Sequence, residues 1–264
     1  MFSKAIVRPP GANYADGLTR LDLGSPDFAR ARRQHALYCE ALEQCGLALT
    51  LLEADGRYPD STFVEDTAVI IGNLNTTTRA PTAILTRPGA ASRAGEVESI
   101  KEALSQFCPQ IHSIHEPGRL DGGDVCEAGN HFFLGISERT NAAGAQQLAG
   151  LLQYYGYTSS FVDIRGVKNI LHLKSGLAYL GDNRLAVIDT LANRREFRGY
   201  DLVRVNTDEE YAANCVRVNE CILIAAGYPG LERTLGDLGY KTIALEMTEF
   251  QKMDGGLSCL SLRF

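Results

Sequence analysis

The sequence predicts an α/β fold of propeller type, in which one supersecondary unit recurs around a closed ring. Short apolar runs typical of buried strands alternate with segments that carry apolar residues at helical spacing. The order hairpin, turn, helix, strand then repeats, with clear copies at 82–104, 132–152 and 222–246. A unit of about 50 residues fits about five times into the chain, and such a period favours a ring of repeats.

The helices are expected from apolar spacing and from their end signals. The first carries Phe28, Ala31, Tyr38, Leu42 and Cys45 on one face, begins after 25-SPD-27 and ends before Gly46. The remaining helices are expected over 97–107, 145–155 and 231–238, whereas the stretch after Asp189 has no convincing helix. Strands are expected at 67–71, 82–86, 132–136, 177–180, 185–189 and 222–226.

A doubly wound parallel sheet is the alternative fold, because strands that alternate with helices are typical of it as well. The sequence has no GxGxxG and no P-loop, so no nucleotide site is indicated. No linker rich in Pro, Ser or Gly divides the chain. We therefore expect one catalytic domain over 1–264.

Composition and charge exclude several classes of protein. The formal charge is −6, from 26 basic and 32 acidic residues, which makes nucleic acid a poor partner. No apolar stretch approaches the roughly 20 residues of a membrane span, and the first residues lack the pattern of a secretory leader. Seven cysteines without a CxxC pair argue against a structural metal and against a disulfide framework. A cytoplasmic protein without a bound metal is expected.

In a ring of repeats, equivalent strand ends converge near the axis, so polar residues at those points are candidates for one shared site. The five candidate segments are 60-DSTFVED-66, 121-DGGD-124, 171-LHLKSG-176, 211-YAANC-215 and 254-DGGLSC-259. Glycines beside three of them would let backbone approach a ligand closely.

Cys259 and His172 are the candidate nucleophile and base. Cys259 follows Asp-Gly-Gly in an otherwise apolar segment, and its alternative interpretation is a buried small hydrophobe. His172 lies between leucines, where a histidine is more often a core residue. Beside a nucleophilic cysteine, however, imidazole is the natural proton carrier at neutral pH.

The acidic candidates are Asp60, Glu65, Asp66, Asp121 and Asp124, each of which is equally well explained as a solvated turn or a cap. If they converge on one cysteine, they would bind a cation, and a planar guanidinium makes best use of paired carboxylates. A thiol in such surroundings would lose its proton only when a positive charge arrives. Arg87 and Arg139 follow equivalent strands, so they are either surface arginines or a clamp for a carboxylate.

The chain resembles the dimethylarginine dimethylaminohydrolase family of the guanidine-modifying, pentein-fold superfamily. The resemblance runs through ordered blocks, namely 16-DGLT-19, 60-DSTFVEDTAV-69, 84-ILTRPG-89, 120-LDGGDV-125, 132-FFLGISERTNAAGA-145, 171-LHLKSGLAYL-180, 211-YAANC-215, 226-AGYP-229 and 252-KMDGGLSCLSLRF-264. It implies a five-bladed α/β propeller with one site in a central channel. It also implies a monomer or homodimer that needs no cofactor.

The resemblance also implies roles for individual residues. Cys259 would be the nucleophile, His172 the general acid and base, and Asp121 the carboxylate that orients the histidine. The remaining residues would bind substrate: Asp60, Glu65 and Asp66 the guanidinium, Arg87 and Arg139 the α-carboxylate, the Met253 carbonyl the α-amino group, and Leu18 as part of a flexible lid. In this family the orienting residue is either Glu or Asp, and Met253 stands where a branched aliphatic residue is usual.

The implied reaction is hydrolysis of dimethylarginine, or of monomethylarginine, to citrulline and the methylated amine through a covalent S-alkylthiouronium. Zinc bound by Cys259 and His172 would inhibit it. The alternatives are an arginine deiminase-like hydrolase of another guanidino or ureido acid, and a non-catalytic protein that binds methylarginine. A papain-like protease would place its cysteine before its histidine, which is the reverse of the order here.

Overall fold

The computed structural model describes residues 1–75, 77 and 80–264, and within them the strands form five three-stranded sheets. In each sheet the middle strand is antiparallel to one neighbour and parallel to the other. The antiparallel neighbours of all five sheets line one common cavity, so they face the axis of a ring. The predicted five-bladed α/β propeller is confirmed, and the doubly wound alternative is wrong.

The strands, in chain order, are β1 (Lys4–Val7), β2 (Ala48–Leu51), β3 (Ala68–Ile71), β4 (Thr82–Leu85), β5 (Gln110–Ser113), β6 (Val125–Ala128), β7 (His131–Ile136), β8 (Thr158–Asp163), β9 (Leu177–Gly181), β10 (Arg184–Ile188), β11 (Asp201–Val205), β12 (Val216–Val218), β13 (Cys221–Ala225), β14 (Lys241–Leu245) and β15 (Ser261–Arg263). The blades are β15-β1-β2, β3-β4-β5, β6-β7-β8, β9-β10-β11 and β12-β13-β14. We call the first strand of each blade in this order its inner strand.

The helices are α1 (Phe28–Gln44), α2 (Glu96–Ser105), α3 (Ala142–Tyr154), α4 (Pro229–Asp237) and α5 (Thr248–Gln251). Four of them connect the middle strand of a blade to its outer strand, as the repeat predicts. Helix α1 begins where expected because the Asp27 side chain accepts a hydrogen bond from the Arg30 N–H at 2.8 Å. The fourth blade has a short 3-10 turn, Arg195–Phe197, in place of a helix, which agrees with the weak pattern after Asp189.

The first blade joins the two ends of the chain. Strand β15 pairs antiparallel with β1, and the backbone N–H groups of Ser3 and Lys4 donate to the Phe264 carbonyl at 2.9 and 2.8 Å. Each inner strand is an edge strand of its sheet, but it faces the axis of the ring, where other chains cannot easily pair with it.

Apolar side chains from neighbouring blades form the core. Phe133 of β7 is fully buried, and its ring packs edge-to-face against Phe197 of the next blade with centroids 5.1 Å apart. Such packing between blades fixes their relative positions, and therefore the positions of the loops at the axis. Among the described residues, no helix combines the length and the apolar character that crossing a membrane requires.

Truncation of Phe133 tests how much this packing contributes. We expect Phe133→Ala to lower the free energy of unfolding by about 3–5 kcal/mol, because it removes a buried ring and leaves a cavity between two blades. Urea unfolding followed by circular dichroism measures the change. Leu51→Ala is the control, since Leu51 is 64% exposed and its loss should change stability by less than about 0.5 kcal/mol. Equal losses in the two variants would contradict this account.

Candidate active site

Five short 3-10 turns surround the axis of the ring at one end of the inner strands. Each turn leads into the inner strand of a blade, so the chain delivers one polar segment per blade to the same place. The turns are Val64–Thr67, Gly122–Asp124, Leu173–Ser175, Thr207–Ala213 and Ser258–Leu260. They coincide with the five polar segments that the repeat predicts.

Hydrogen bonds connect each turn to the next around the axis. The Ser258 hydroxyl donates to Glu65 at 2.8 Å, and the Ser258 N–H donates to the Asn214 side chain at 2.9 Å. The Asn214 amide in turn donates to the Lys174 carbonyl at 3.0 Å. We call the complete set of such contacts the axial ring. Its other links run from Leu173 N–H to Asp124 at 2.9 Å and from Gly123 N–H to Asp66 at 2.9 Å.

His172 and Asp121 form a buried pair within this ring. The Nε2 atom of His172 lies 3.0 Å from Oδ2 of Asp121, whose Oδ1 accepts a hydrogen bond from the Gly89 N–H at 2.7 Å. The Asp66 carboxylate is 4.0 Å from the same Nε2. A glycine is required beside the imidazole, because a Cβ on Gly123 would lie 2.6 Å from His172 Nδ1. The imidazole of His172 is thus fixed in place by Asp121, by Asp66 and by the backbone at Gly123.

Three carboxylates keep His172 protonated. Burial lowers the pKa of the imidazole, but Asp66, Asp121 and Asp124 raise it more, to about 9. The side chain is therefore an imidazolium at neutral pH in the absence of ligand. A charged imidazolium is prepared to donate a proton to a leaving group.

Cys259 lies in the last of the five turns, which packs against the turn that carries Glu65 and Asp66. Its thiol is buried, and its N–H donates to the Gly256 carbonyl at 3.2 Å. Burial first, and then the charges of Glu65 and Asp66, raise the pKa of the thiol to about 12. The resting cysteine is therefore a thiol, and a cation placed beside it would favour the thiolate.

Glu65 binds groups of the protein itself. Its carboxylate lies 2.6 Å from the Lys174 ammonium and 3.2 Å from the Arg263 guanidinium, and it also accepts the Ser258 hydroxyl. These four side chains line a cavity of about 480 Å³ in the channel, whereas Cys259, His172 and Asp121 are not among its lining residues. Glu65 therefore belongs to a group of charged side chains that line this cavity, and its predicted contact with a guanidinium stays a prediction.

The two arginines expected to form a clamp have different surroundings. Nη1 of Arg139 lies 3.8 Å from Asp121, and its side chain is 17% exposed. Arg87 forms an ion pair with Glu116 and donates to the Gly118 carbonyl at 3.2 Å. Arg139 therefore lies beside the reactive cluster, whereas the Arg87 side chain is paired with the exposed carboxylate of Glu116.

The segment 17–20 lies against Asp60 and the segment that carries Met253. The Leu18 N–H donates to the Asp60 carboxylate at 3.1 Å, while the Leu18 side chain is exposed. Thr19 donates to the Lys252 carbonyl at 2.9 Å. Met253 is buried, and its methyl group would lie 3.1 Å from a Cβ placed on Gly17. Every residue of 17–20 thus forms a hydrogen bond, and the flexible lid that the resemblance implies for Leu18 stays a prediction.

The sequence analysis missed two charged residues of the cluster, Arg93 and Lys174. Arg93 forms a buried ion pair with Asp66 at 2.5 Å, and the partly buried Lys174 forms an ion pair with Glu65 at 2.6 Å. Asp124 accepts the Ser137 hydroxyl at 2.6 Å as well as the Leu173 N–H, and so fixes the turn behind His172. Asp124 and Lys174 lie inside two of the polar segments named above, whereas no pattern singled out Arg93.

One group of side chains has the composition of a cation site. The ligand atoms of Asp66, Asp121 and His172 all lie within 4.8 Å of one another. Asp66 is already paired with Arg93, and His172 with Asp121, so a metal ion would have to replace these contacts. Inhibition by zinc through Cys259 and His172 stays a prediction.

The protonation of Cys259 is open to direct measurement. Because its pKa is raised to about 12, we expect the ligand-free protein to show no thiolate absorbance from this residue at neutral pH. The ultraviolet difference spectrum between the protein and its Cys259→Ser variant isolates the residue from the other cysteines. A thiolate signal at neutral pH would show that the acidic surroundings do not control the thiol.

Comparison with known proteins places this geometry in a family, although no protein-family model matches the chain. N(G),N(G)-dimethylarginine dimethylaminohydrolase of Pseudomonas aeruginosa is 43% identical over 265 residues, which cover 100% of both chains. The enzyme of the same name from Streptomyces coelicolor is 34% identical, over 98% of this chain and 96% of its own. A solved structure of a cysteine-to-serine mutant of the Pseudomonas aeruginosa enzyme, complexed with citrulline, superposes with a TM-score of 0.93 at 42% identity over 100% of both chains. With full-length identity well above 30% and the same fold, the chain belongs to the dimethylarginine dimethylaminohydrolase family.

Proposed function

We propose that this protein hydrolyses Nω,Nω-dimethyl-L-arginine, and the monomethyl form, to L-citrulline and the methylated amine. The observation that carries the proposal is the buried cluster of His172, Asp121 and Asp66 beside a protonated Cys259. Such a cluster has the acid, the carboxylates for a guanidinium and the nucleophile that this reaction needs. The names of the relatives support the same substrate.

The first half of the reaction joins substrate to enzyme. The guanidinium binds at Asp66 and Asp60, and its charge lowers the pKa of the Cys259 thiol, which releases its proton to solvent. The thiolate attacks the central guanidinium carbon. The bond from that carbon to the methylated nitrogen breaks as the His172 imidazolium protonates the departing amine. A covalent S-alkylthiouronium and a neutral imidazole remain.

The second half releases the product. Neutral His172 takes a proton from water, whose oxygen attacks the thiouronium carbon. When the bond from carbon to sulfur breaks, the second water proton passes to sulfur, so the Cys259 thiol and the His172 imidazolium are both restored. Asp121 keeps the imidazole oriented through both halves, because it holds Nε2 at 3.0 Å.

The α-carboxylate and the α-amino group of the substrate bind at the rim of the site. Arg139 binds the α-carboxylate together with Arg87, which would first have to leave Glu116. The Met253 carbonyl accepts the α-amino group, and Leu18 covers the site. No step uses a cofactor. A single catalytic domain over 1–264, acting as a monomer or homodimer, is part of the proposal.

A citrulline assay with four substrates tests the proposal. We expect citrulline from asymmetric dimethylarginine and monomethylarginine, and little from symmetric dimethylarginine or arginine. Cys259→Ser should abolish turnover and leave the affinity for substrate within about tenfold of the original value, because only the nucleophile is lost.

The other outcomes separate the alternatives. Citrulline chiefly from arginine would indicate a deiminase-like hydrolase with the same site. Binding without product would indicate a methylarginine-binding protein. Turnover that survives in Cys259→Ser would show that another residue is the nucleophile.

The pH dependence tests the role of His172. Its pKa is raised to about 9, so the imidazolium needed in the first half is lost as the pH rises through that value, and kcat/KM should fall there. Asp121→Asn removes one of the groups that raise this pKa. We therefore expect its alkaline limb to move to lower pH, and kcat to fall by about 10²–10⁴-fold. An unmoved limb in Asp121→Asn would assign the acid to another group.

A further inference from the structure

Arg93 is a buried guanidinium on the far side of the acidic residues that the proposed substrate would contact. It ends the 3-10 turn Ala91–Arg93, three residues before the first acid of α2, and its side chain is 5% exposed. The chemistry described above assigns it no step. A fully charged group at such depth is costly unless every donor is satisfied, so its contacts indicate what it does.

The guanidinium binds the acidic segment at three points. Nη1 lies 2.5 Å from Oδ2 of Asp66. Nη2 donates to the backbone carbonyls of Asp60 at 3.3 Å and of Phe63 at 3.0 Å. One side chain thus fixes both the backbone of 60–66 and the carboxylate at its end.

Glu96 supplies the counter-charge. Its carboxylate accepts from Nε of Arg93 at 3.0 Å and from Nη2 at 2.8 Å, in the two-point geometry that suits a guanidinium. Arg93, Glu96 and Asp66 together carry one net negative charge. A lysine would place one positive charge here but has no planar set of donors to reach Glu96, Asp66 and two carbonyls at once.

Asp66 connects this group to the reactive cluster. Its Oδ2 faces Arg93, while its Oδ1 accepts the Gly123 N–H at 2.9 Å and lies 4.0 Å from His172. With one oxygen anchored from behind, the carboxylate keeps one orientation and keeps its charge. A fixed orientation and a full negative charge of Asp66 both strengthen binding of a positively charged ligand more than binding of a neutral one.

We propose that Arg93 is a positioning residue that sets the preference of this site for a cationic guanidinium over a neutral ureido group. It acts through Asp66 and through the backbone of 60–66, and it does not contact the ligand. The inference rests on the proposed function, because it names dimethylarginine as the cation and citrulline as the neutral ligand. The inference predicts that loss of Arg93 weakens binding of dimethylarginine far more than binding of citrulline.

The test measures both dissociation constants by calorimetry in the Cys259→Ser background, where neither ligand is turned over. The main variant is Arg93→Met combined with Glu96→Gln, which removes one charge of each sign and leaves no unpaired buried glutamate. Arg93→Lys is the second variant, which keeps the charge and loses the planar donors. Arg8→Met is the matched control, because Arg8 is also buried and donates to Ser99 of α2 but is not paired with Asp66.

We expect the dissociation constant of dimethylarginine to rise by at least about tenfold in the double variant and in Arg93→Lys, while that of citrulline changes by less than about threefold. Arg8→Met should leave the ratio of the two constants unchanged. A partly unfolded sample lowers the number of sites for both ligands alike, so the ratio is independent of any loss of stability.

Two results would overturn the inference. Equal weakening of both ligands would show that Arg93 only supports the fold, and an unchanged ratio in folded Arg93→Lys would show that it does not act on Asp66. If the Cys259→Ser background itself binds no dimethylarginine, the proposed function fails and the inference fails with it. Binding in the background with an unchanged ratio in the variants would overturn the inference alone.

Discussion

The axial ring is the constraint on which the rest of this site depends. Short 3-10 turns bring polar residues from all five blades to one axis, and side-chain hydrogen bonds then join each turn to a neighbour far away in sequence. The link between Glu65 and Ser258, for example, spans 193 residues. Four of the five links are buried, so breaking one of these leaves an unsatisfied polar group that costs about 1–3 kcal/mol. The blades therefore cannot shift independently, and the reactive groups stay in register.

The charges inside the axial ring favour binding of a cation. Asp66, Asp121 and Asp124 raise the pKa of His172 to about 9 despite its burial, while burial and then Glu65 and Asp66 raise that of Cys259 to about 12. At neutral pH the imidazole is therefore protonated and the cysteine is a thiol. In the proposed reaction, a cationic ligand stabilises the thiolate, and the imidazolium keeps its proton until the amine departs. Arg93, Lys174 and Arg263 limit the excess of negative charge, since so many buried carboxylates would otherwise take up protons.

Periodicity predicted the repeats, the helices such as Phe28–Gln44, and the convergence of five polar segments, because each depends on local pattern and on the symmetry of a ring. It did not predict the partners of individual charges. Arg93 stands in 90-AASRAGE-96, which has the composition of an exposed helix start, and only tertiary packing places it behind Asp66. Position alone made Arg87 and Arg139 equivalent, but the acid Glu116 lies beside only the first of them. Such contacts join residues that are far apart in the chain, and local patterns in a single sequence do not indicate them.

Closure of the ring by β1 and β15 has a consequence for the order in which the protein is made. The blade that holds Cys259 takes its middle and outer strands from the first fifty or so residues of the chain and its inner strand from the last few. On the ribosome, those two strands emerge early, and their partner strand is synthesised only after the other four blades. Cys259, the proposed nucleophile, is thus translated after His172, Asp121 and Asp66, and it enters its acidic surroundings only as the ring closes. A chain that ends at β14 carries His172 and the buried carboxylates of the axial ring but lacks Cys259.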